Sequence, residues 1–432
     1  MKSLDLLIRG AAPHPVIGVA EGKIVTFTEA PAREEIDATG LLVLPGVIDP
    51  HVHFNEPGRT EWEGLATGSR ACAAGGTTTF FDMPLNSTPP VIDAAAFDAK
   101  RTAAERESVV DFGIWGGIVP GNLEQLEALR ERGVIGLKAF MSNSGIEDFP
   151  KSDPATLRAG MQRAAQLGML VAVHAEIDHP ELRHGTSIRE YLDSRPISME
   201  LEAIRLALDF AGETGCALYV VHVSSAAGMA LIAEARRAGV DVTAETCPHY
   251  LTLNENDVLR IGALAKCAPP IRPEAERLAL LEKVRAGDVQ TIGSDHSPAP
   301  ASMKTDPDFF KVWGGISGAQ HLLTHLLDLD LPPAQIAQLT AANVADRFGV
   351  AGQKGRLAEG LDADLVLVDP AGETPVEAAA LHYRHPHTPW LGRTLRGRVV
   401  RTVLRGQTIF AAGRIAAARP GRLVTPPTFT KS

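Results

Sequence analysis

The chain is short of positive charge and of long apolar runs, and each shortage excludes a class of protein. Lysine and arginine number 42 against 52 aspartates and glutamates, so the formal net charge is −10. This balance argues against nonspecific binding to nucleic acid or to an anionic membrane. No run approaches the roughly 20 apolar residues of a membrane-spanning helix. The opening residues MKSLDLLIRG carry charges where a signal peptide needs its apolar core. We therefore expect neither a nucleic-acid nor a membrane partner.

Cysteine is scarce as well. The four cysteines are widely spaced and form no CxxC pair, a pattern that favours buried thiols in a reducing compartment over disulfides. We therefore expect a cytoplasmic protein. Hydrophobic residues nevertheless make up 45% of the 432 residues, which is enough for a large core. The cysteines are Cys72, Cys216, Cys247 and Cys267.

Short apolar runs recur along the chain, and most are followed by a helical stretch rich in Ala, Leu, Arg and Glu. Near-continuous apolar runs are typical of parallel strands that are buried on both faces. Eight such runs predict an α/β fold, a (β/α)8 TIM barrel, over residues 45–354. Short β-type segments in residues 1–44 and 355–432 predict one small β-sandwich built from both chain ends. The eight runs are VLPGVIDPHVH, TTTFFDMP, DFGIWGGI, VIGLKAF, MLVAVHAE, ALYVVHVSS, VDVTAETCPHY and QTIGSDHSP.

Metal-compatible side chains lie at the ends of these runs. In a barrel of this kind, functional residues lie at the carboxyl ends of the strands. A single histidine there is more often a hydrogen-bonded core residue, but six candidates at the same end of successive strands favour a metal site. They are His51 and His53 on the first run, Lys138 on the fourth, His174 on the fifth, His222 on the sixth and Asp295 on the eighth.

Lys138 is the candidate that indicates two ions. A buried ammonium group is costly to desolvate, whereas a lysine of lowered pKa can form a Schiff base or react with carbon dioxide. The neighbouring histidines and aspartate favour the second reaction. The resulting carbamate has two oxygens and could bridge two cations. A lysine that simply reaches solvent is the alternative. Imidazole and carboxylate ligands suit Zn, which is our first expectation, and also Co, Mn or Fe.

Such a pair of ions has a chemical consequence. Two ions could hold a bridging hydroxide, because a metal lowers the pKa of water to about 7. Asp295 would bind one ion, take a proton from the attacking hydroxide and return it to the leaving nitrogen. The pattern therefore predicts hydrolysis.

The same residues, taken in order, resemble the ligand set of the amidohydrolase superfamily. They are the HVH pair, the lysine of GLKAF, the histidines of VHAE and VHVSS, and the aspartate of SDHSP. More narrowly, they are similar to its cyclic-amidase branch of dihydroorotases, hydantoinases and allantoinases, and the resemblance covers nearly the whole chain. It implies a homo-oligomer, commonly a tetramer, and two metals bridged by carboxylated Lys138. One metal would be held by His51, His53 and Asp295, and the other by His174 and His222.

Two positions discriminate within this branch. Dihydroorotases carry an arginine where this chain has Asn55, and hydantoinases carry a tyrosine where it has Asn143. The segments FNEPGRTEWEG, DMPLNS, SRP, ETCPHYL, LAKCAPPIR, SDHSP and WGGISG instead resemble allantoinases. The resemblance implies hydrolysis of the ring amide of allantoin to allantoate, a step of purine degradation. A neutral ring suits amide side chains and backbone groups, and Ala268 and Gly314 are further candidate contacts through the backbone.

Other activities stay open. Hydantoinase or dihydropyrimidinase is the first alternative and dihydroorotase the second. A catalytically silent assembly partner is the alternative from a different class, but such relatives have typically lost metal ligands, and this chain keeps all six.

Several polar residues outside the ligand set have competing interpretations. His296, His249 and Asp82 are candidates for orienting the ligands, and Asp82 could equally cap a helix. The segment LHYRHPHTPW predicts a surface loop in the sandwich, away from the strand ends, rather than a third metal site. Its histidines are His382, His385 and His387.

Overall fold

A computed structural model describes residues 3–416 and 421–427, and its first strands belong to the N-terminal part of the chain. The first two hairpins are antiparallel, as the sequence predicts, but β1 also pairs in parallel with β4. The last of these strands, β5, pairs instead with a strand from the far end of the chain. The strands are β1 (Leu4–Arg9), β2 (Val16–Ala20), β3 (Lys23–Thr26), β4 (Ala32–Asp37) and β5 (Leu42–Pro45).

The barrel strands coincide with the apolar runs of the sequence, and most of their side chains are buried because both faces are covered. The run DFGIWGGI forms two strands rather than one, because Trp115 interrupts it and donates its indole N–H to the Pro50 carbonyl at 3.0 Å. The strands are β6 (Val47–Val52), β7 (Thr77–Asp82), β8 (Asp111–Ile114), β9 (Gly116–Gly117), β10 (Leu137–Phe140), β11 (Val171–His174), β12 (Leu218–Val220), β13 (Val242–Thr246) and β14 (Thr291–Ile292).

These strands pair in parallel and in chain order, from β6 to β8 and from β9 to β14. The Ile135 N–H joins the two groups by donating to the Ile114 carbonyl at 2.9 Å. An isolated parallel bridge between Val52 and His296 closes the ring, and the His53 N–H donates to the His296 carbonyl at 2.7 Å. The predicted TIM barrel is therefore confirmed.

Helices cover the barrel where the sequence predicts them. In α4, Asp153 accepts a hydrogen bond from the Thr156 N–H at the start, and Gly168 ends the helix with a φ of 64°. The helices are α1 (Leu65–Ala74), α2 (Ala94–Glu107), α3 (Leu126–Arg132), α4 (Pro154–Leu167), α5 (Ile188–Asp193), α6 (Ile197–Thr214), α7 (Ala226–Arg237), α8 (Pro248–Thr252), α9 (Glu255–Ile261), α10 (Glu274–Arg285), α11 (Leu322–Asp328), α12 (Pro333–Ala337) and α13 (Asn343–Arg347). Across the described ranges, no helix combines the length and the apolar character needed to cross a membrane.

The two chain ends meet in a β-sandwich. The C-terminal strands form antiparallel pairs, and β15 takes β5 as its second neighbour. Apolar side chains from both sheets, such as Ile8, Ile17, Leu365 and Val403, share one core. The boundaries at 44/45 and 354/355 stay predictions, and residues 417–420 and 428–432 lie outside the described part. The strands are β15 (Leu365–Pro375), β16 (Thr394–Leu404), β17 (Gln407–Ala411) and β18 (Arg414–Ile415).

Candidate metal centre

All six side chains predicted as ligands line one cavity of about 560 Å³ at the carboxyl ends of the barrel strands. They come from strands far apart in sequence, and barrel closure brings them together. Their positions are His51 within β6, His53 just after it, Lys138 within β10, His174 at the end of β11, His222 after β12 and Asp295 after β14.

One half of the cluster consists of His51, His53 and Asp295. The Asp295 Oδ1 lies 3.1 Å from the His51 Nε2 and 3.4 Å from the His53 Nε2. One ligand atom from each of the three residues lies within 4.8 Å of the others, a spacing that could hold a metal ion. Burial alone would raise the pKa of Asp295, but the surrounding imidazoles lower it well below its usual range. The carboxyl group is therefore ionised and available as a ligand or a base.

The other half consists of His174 and His222. The His174 Nδ1 lies 3.0 Å from the His222 Nε2, and the ring centroids of His222 and His51 are 5.4 Å apart, so the two halves adjoin. Burial lowers the pKa of His174, and it lowers the pKa of His222 well below the usual value. Neutral imidazoles at this spacing suit a cation, because metal ligation requires an unprotonated nitrogen.

Lys138 lies beside these histidines without a hydrogen-bond partner for its Nζ among the described residues. The side chain is 1% exposed, and the Nζ lies 5.2 Å from the centroid of the Phe140 ring, which stacks on His174. Burial lowers its pKa to about 8, although Asp295 and Glu245 oppose that shift. An unpartnered amine of lowered pKa fits the predicted carbamate, because carbon dioxide reacts with the neutral form.

Two of the candidate ligands have strained backbone. His222 has a φ of 40° and Asp295 a φ of 45°, in the left-handed region that residues other than glycine seldom adopt. Such strain costs roughly 1–3 kcal/mol per residue and persists only where the surroundings hold it. At both positions the unusual backbone lies where the chain leaves a barrel strand and turns the side chain into the cavity.

Glu245, at the end of the seventh run, orients part of this cluster, and the sequence analysis did not assign it. Its Oε1 lies 2.8 Å from the His51 Nδ1 and accepts the His222 backbone N–H at 3.1 Å. Its Oε2 accepts the Tyr219 hydroxyl at 2.8 Å. A carboxylate on one ring nitrogen directs the lone pair of the other nitrogen toward a metal. The carboxylate of ETCPHYL at a strand end was the signal that could have identified it.

Glu176 does the same for His174 and was also missed. Its Oε2 lies 3.0 Å from the His174 Nε2, and Arg195 pairs with the same carboxylate. Burial alone would raise the pKa of Glu176, but Arg195 and His174 hold it well below its usual range. Arg195 itself lines the cavity. The position of Glu176 in VHAE, two residues after the predicted ligand His174, could have identified it.

The three residues proposed as ligand-orienting groups have different surroundings. His296 is buried, accepts the Gly318 N–H on its Nδ1 at 3.1 Å and has its Nε2 3.5 Å from Glu63. It therefore joins the loops around the first and eighth strands. His249 is buried with both ring nitrogens unpartnered among the described residues, and burial lowers its pKa to about 4.

Asp82 does not cap a helix, so that alternative is wrong. Its carboxylate pairs with Lys100 at 2.9 Å and accepts the Phe54 N–H, directly after His53, at 3.0 Å. The following helix, α2, is capped by Asp93 instead. Asp82 thus supports the turn that follows the paired histidines.

Three of the four predicted substrate contacts line the cavity, namely Asn143, Ala268 and Gly314. Asn55 is not among the residues that line it. It is fully buried, has a φ of 65°, and its amide has no hydrogen-bond partner in the described part of the chain. Asn86 lines the cavity instead, with its Nδ2 3.3 Å from the His53 Nδ1. Asn86 belongs to the allantoinase-like segment DMPLNS, but the sequence alone did not identify it as a cavity residue.

The histidine-rich segment after β15 is placed differently from the prediction. It leaves the sandwich and packs on the barrel loops, where the His385 Nε2 lies 2.8 Å from the Glu61 carbonyl and the His387 Nε2 lies 3.1 Å from the Ala299 carbonyl. The prediction that this segment lies away from the strand ends is therefore wrong. The carbonyl groups of Glu61 and Ala299, in loops that follow barrel strands, hold it near those ends. None of its three histidines belongs to a described group spaced to hold a metal.

Known proteins similar to this chain were found both by sequence and by structure. Residues 42–409 match the model of a family described as the amidohydrolase family. An allantoinase of Rubrobacter xylanophilus is 54% identical over 99% of this chain and 98% of its own. An allantoinase of Solibacter usitatus is 52% identical over 95% of this chain and 93% of its own. Among solved structures, an L-hydantoinase (dihydropyrimidinase) from Arthrobacter aurescens superposes with a TM-score of 0.94 at 31% identity, over 98% of this chain and 100% of that one.

Proposed function

Because the chain belongs to the amidohydrolase family, we propose that it is an allantoinase, a hydrolase that opens the ring of allantoin to give allantoate. The observation that carries this proposal is the 54% and 52% identity, over nearly the full length, to proteins named allantoinase. The similarity to the hydantoinase structure is 31%. Hydantoinase activity is accordingly the alternative.

The residues of the cavity fit two divalent cations. His51, His53 and Asp295 would hold one, and His174 and His222 the other, with carboxylated Lys138 between them. The unpartnered, buried Nζ of Lys138 and the imidazole-rich donor set support this assignment. Zinc is the ion we propose first, because such donors suit it. When bound, the ions supply Lewis acidity that makes water acidic enough to ionise near neutral pH.

Asp295 is the proton carrier in this proposal. Its lowered pKa means that the Oδ1 is unprotonated before reaction, so it can accept the proton of the attacking water and return it to the ring nitrogen that leaves. Its position after β14 is supported by the Val52–His296 bridge, which ties the two ends of the barrel together. Glu245 and Glu176 hold His51 and His174 in fixed orientations, so little rearrangement accompanies the reaction.

The cavity wall suits a neutral ring with amide edges. Gly314 and Ala268 can offer backbone groups to the ring, and Asn143 and Asn86 can offer side-chain amides. Arg195 also lines the wall, but Glu176 balances its charge. A carboxylate-bearing ring would therefore gain little from that cation.

A side-by-side assay tests the proposal. Racemic allantoin, hydantoin, dihydrouracil and dihydroorotate are supplied to protein reconstituted with zinc and bicarbonate, and ring opening is followed for each. We expect the highest kcat/KM for allantoin and about two metal ions per chain. A preference for hydantoin or dihydrouracil would replace the allantoinase assignment with the hydantoinase one. Metal content near zero after reconstitution would remove the binuclear site.

We also propose a cytoplasmic enzyme that assembles as a homo-oligomer, a tetramer by family resemblance. All four cysteines are buried free thiols, which suits a reducing compartment. Light scattering of the purified protein gives the assembly size directly.

A further inference from the structure

The 309–315 loop, which follows the barrel strand β14, forms part of the cavity wall. It contributes residues 310–315 to the lining, including the candidate substrate contact Gly314. A Cβ added at Gly314 would meet no atom within 4 Å, so its backbone faces open space. Trp313 packs edge-on against Trp62 with ring centroids 4.7 Å apart. The conformation of this loop therefore decides where the backbone groups of Gly314 lie.

Lys304 holds the loop on both sides of Gly314. Its Nζ donates to the Trp313 carbonyl and to the Gly315 carbonyl, both at 2.8 Å, and to the Ala263 carbonyl at 3.4 Å. One ammonium group thus binds the carbonyl of the residue on each side of the candidate contact. A single side chain controls both flanks.

Lys266 holds the rest of the loop. Its Nζ donates to the carbonyls of Phe309 at 2.7 Å, Phe310 at 3.1 Å and Val312 at 2.5 Å. Its backbone carbonyl accepts the Gly315 N–H at 2.8 Å. The ammonium group also lies 4.7 Å from the centroid of the Tyr191 ring, within reach of a cation–π interaction. Together the two lysines bind five carbonyl groups of a seven-residue loop.

Neither ammonium group has an ion-pair partner among the described residues, which is unusual for lysines in this setting. Carbonyl groups, together with the Tyr191 and Phe309 rings beside Lys266, stabilise their charge, and burial lowers the pKa of each to about 7. Desolvating an ammonium group is costly, and a shorter or apolar side chain would avoid that cost. Their presence indicates a specific task in shaping the loop.

We propose that Lys266 and Lys304 are positioning residues that set the 309–315 loop in the conformation that presents Gly314 to the substrate. The effect on the loop does not depend on which ring is hydrolysed, whereas the effect on allantoin binding rests on the proposed function. Removing either ammonium group leaves several carbonyl groups without their donor and frees the loop.

Hydrogen–deuterium exchange of the metal-loaded protein tests the structural part. We expect Lys266→Met and Lys304→Met to speed exchange of the Trp313 and Gly315 amides by about tenfold or more, with little change elsewhere in the barrel. Lys283→Met is the matched control, since Lys283, on α10, pairs with Asp288 and does not line the cavity. Unchanged exchange in the loop, or equal acceleration throughout the barrel, would overturn the proposal. The Lys→Gln variants keep part of the donor set and give the same test if a Met variant does not fold.

Steady-state kinetics test the functional part. We expect KM for allantoin to rise about tenfold in each variant while kcat changes by less than about threefold, because ground-state positioning is lost and the proton carrier is intact. The double variant should lose less than the sum of the single variants, since both lysines hold one loop. A lowered melting temperature with unchanged KM would mean a structural role only. If the unmodified protein does not hydrolyse allantoin, the proposed function fails, and the exchange result still judges the loop.

Discussion

Two clusters of ionisable side chains have similar spacing but balance their charges differently. Among the residues that the structure describes, two groups are spaced to hold a metal ion, His51–His53–Asp295 in the barrel and Asp111–Asp362–Asp364 at its junction with the sandwich. Spacing alone does not distinguish them. The contacts of the nearest lysine distinguish the two clusters.

At the junction, Lys354 completes the cluster. Its Nζ lies 2.7 Å from Asp111, 3.2 Å from Asp362 and 2.5 Å from Asp364, and Arg405 pairs with Asp111 as well. The cluster joins barrel strand β8 to the segment that enters β15. Cations and carboxylates are satisfied by one another, so the junction cluster needs no ligand.

In the candidate metal centre, the buried lysine lies beside imidazoles and has no hydrogen-bond partner of its own among the described residues. In the proposed function, metal ions and carbon dioxide from outside the chain would complete this cluster. A buried lysine surrounded by carboxylates therefore indicates structure, and a buried lysine without a partner indicates chemistry. Each prediction below tests one side of that distinction.

The largest effect is expected for Lys138→Ala. It should lower kcat/KM for allantoin by about 10³-fold or more, which corresponds to roughly 4 kcal/mol of transition-state stabilisation. Metal content by elemental analysis should fall with it, because the proposed bridging ligand is lost. Lys138→Arg, which keeps a cation but cannot form the carbamate, should behave similarly. Full activity in either variant would contradict the carbamate role.

Lys354→Met should instead affect stability. It leaves buried carboxylates without their cation, and we expect a loss of about 3–5 kcal/mol in the free energy of unfolding. Urea unfolding followed by circular dichroism measures the loss. Metal content per folded chain should match that of the unmodified protein. A variant that loses metal while keeping its stability would reverse the comparison between the clusters.

Glu245→Gln should weaken metal binding by about 10–100-fold, because the orienting charge behind His51 is removed. Glu200→Gln is the matched control. Glu200 is an equally buried carboxylate that accepts hydrogen bonds from the Ser224 N–H and the Ser224 and Ser225 hydroxyls and contacts none of the candidate ligands. Competition with a chelator gives both affinities. Equal weakening in the two variants would mean that burial of charge, rather than orientation of a ligand, is what matters.

The smallest effect concerns the loss of folding stability at low pH. It arises from His321, which lies in neither cluster. Burial lowers the pKa of His321 from 6.5 to about 4, so its unfolded form takes up a proton first as the pH falls. Stability from this group is present above pH 6.5 and lost toward pH 4. His321→Leu should therefore reduce the loss of stability between pH 7 and pH 5 by about 2 kcal/mol. Denaturant unfolding at the two pH values measures it, and an unchanged loss would show that His321 titrates normally.

The main features of the fold and the six candidate ligands could be predicted because both are written in local patterns. An apolar run that ends in a histidine specifies a strand and its polar end together, as in β11 and His174. The division of the DFGIWGGI run into two strands at Trp115 could not be predicted, because the indole N–H donates to the carbonyl of Pro50, a residue far away in sequence. The placement of His385 and His387 was missed for the same reason, since backbone groups of distant loops hold them.

The orienting residues were harder to predict than the ligands. Glu245 and Glu176 are ordinary carboxylates in sequence and acquire their roles from contacts with His51 and His174. Asn55 is the reverse case, a residue that the sequence indicated as a substrate contact but that does not line the cavity. Its position two residues after His53 indicated that contact, yet its side chain is fully buried.

The amino-acid sequence by itself determined which residue types stand at the ends of eight strands, because alternation of apolar runs and helices is a property of neighbouring residues. Only the tertiary structure decided which charged groups satisfy one another. Lys354 in GQKGRL and Lys138 in GLKAF are both buried in the fold, but the residues next to each in sequence do not state which groups will surround its ammonium group. Asp362 and Asp364 lie near Lys354 in sequence, but docking of the sandwich on the barrel adds Asp111 from a distant part of the chain. Among the described residues, no carboxylate pairs directly with Lys138, although Asp295 and Glu245 lie close enough to influence its pKa.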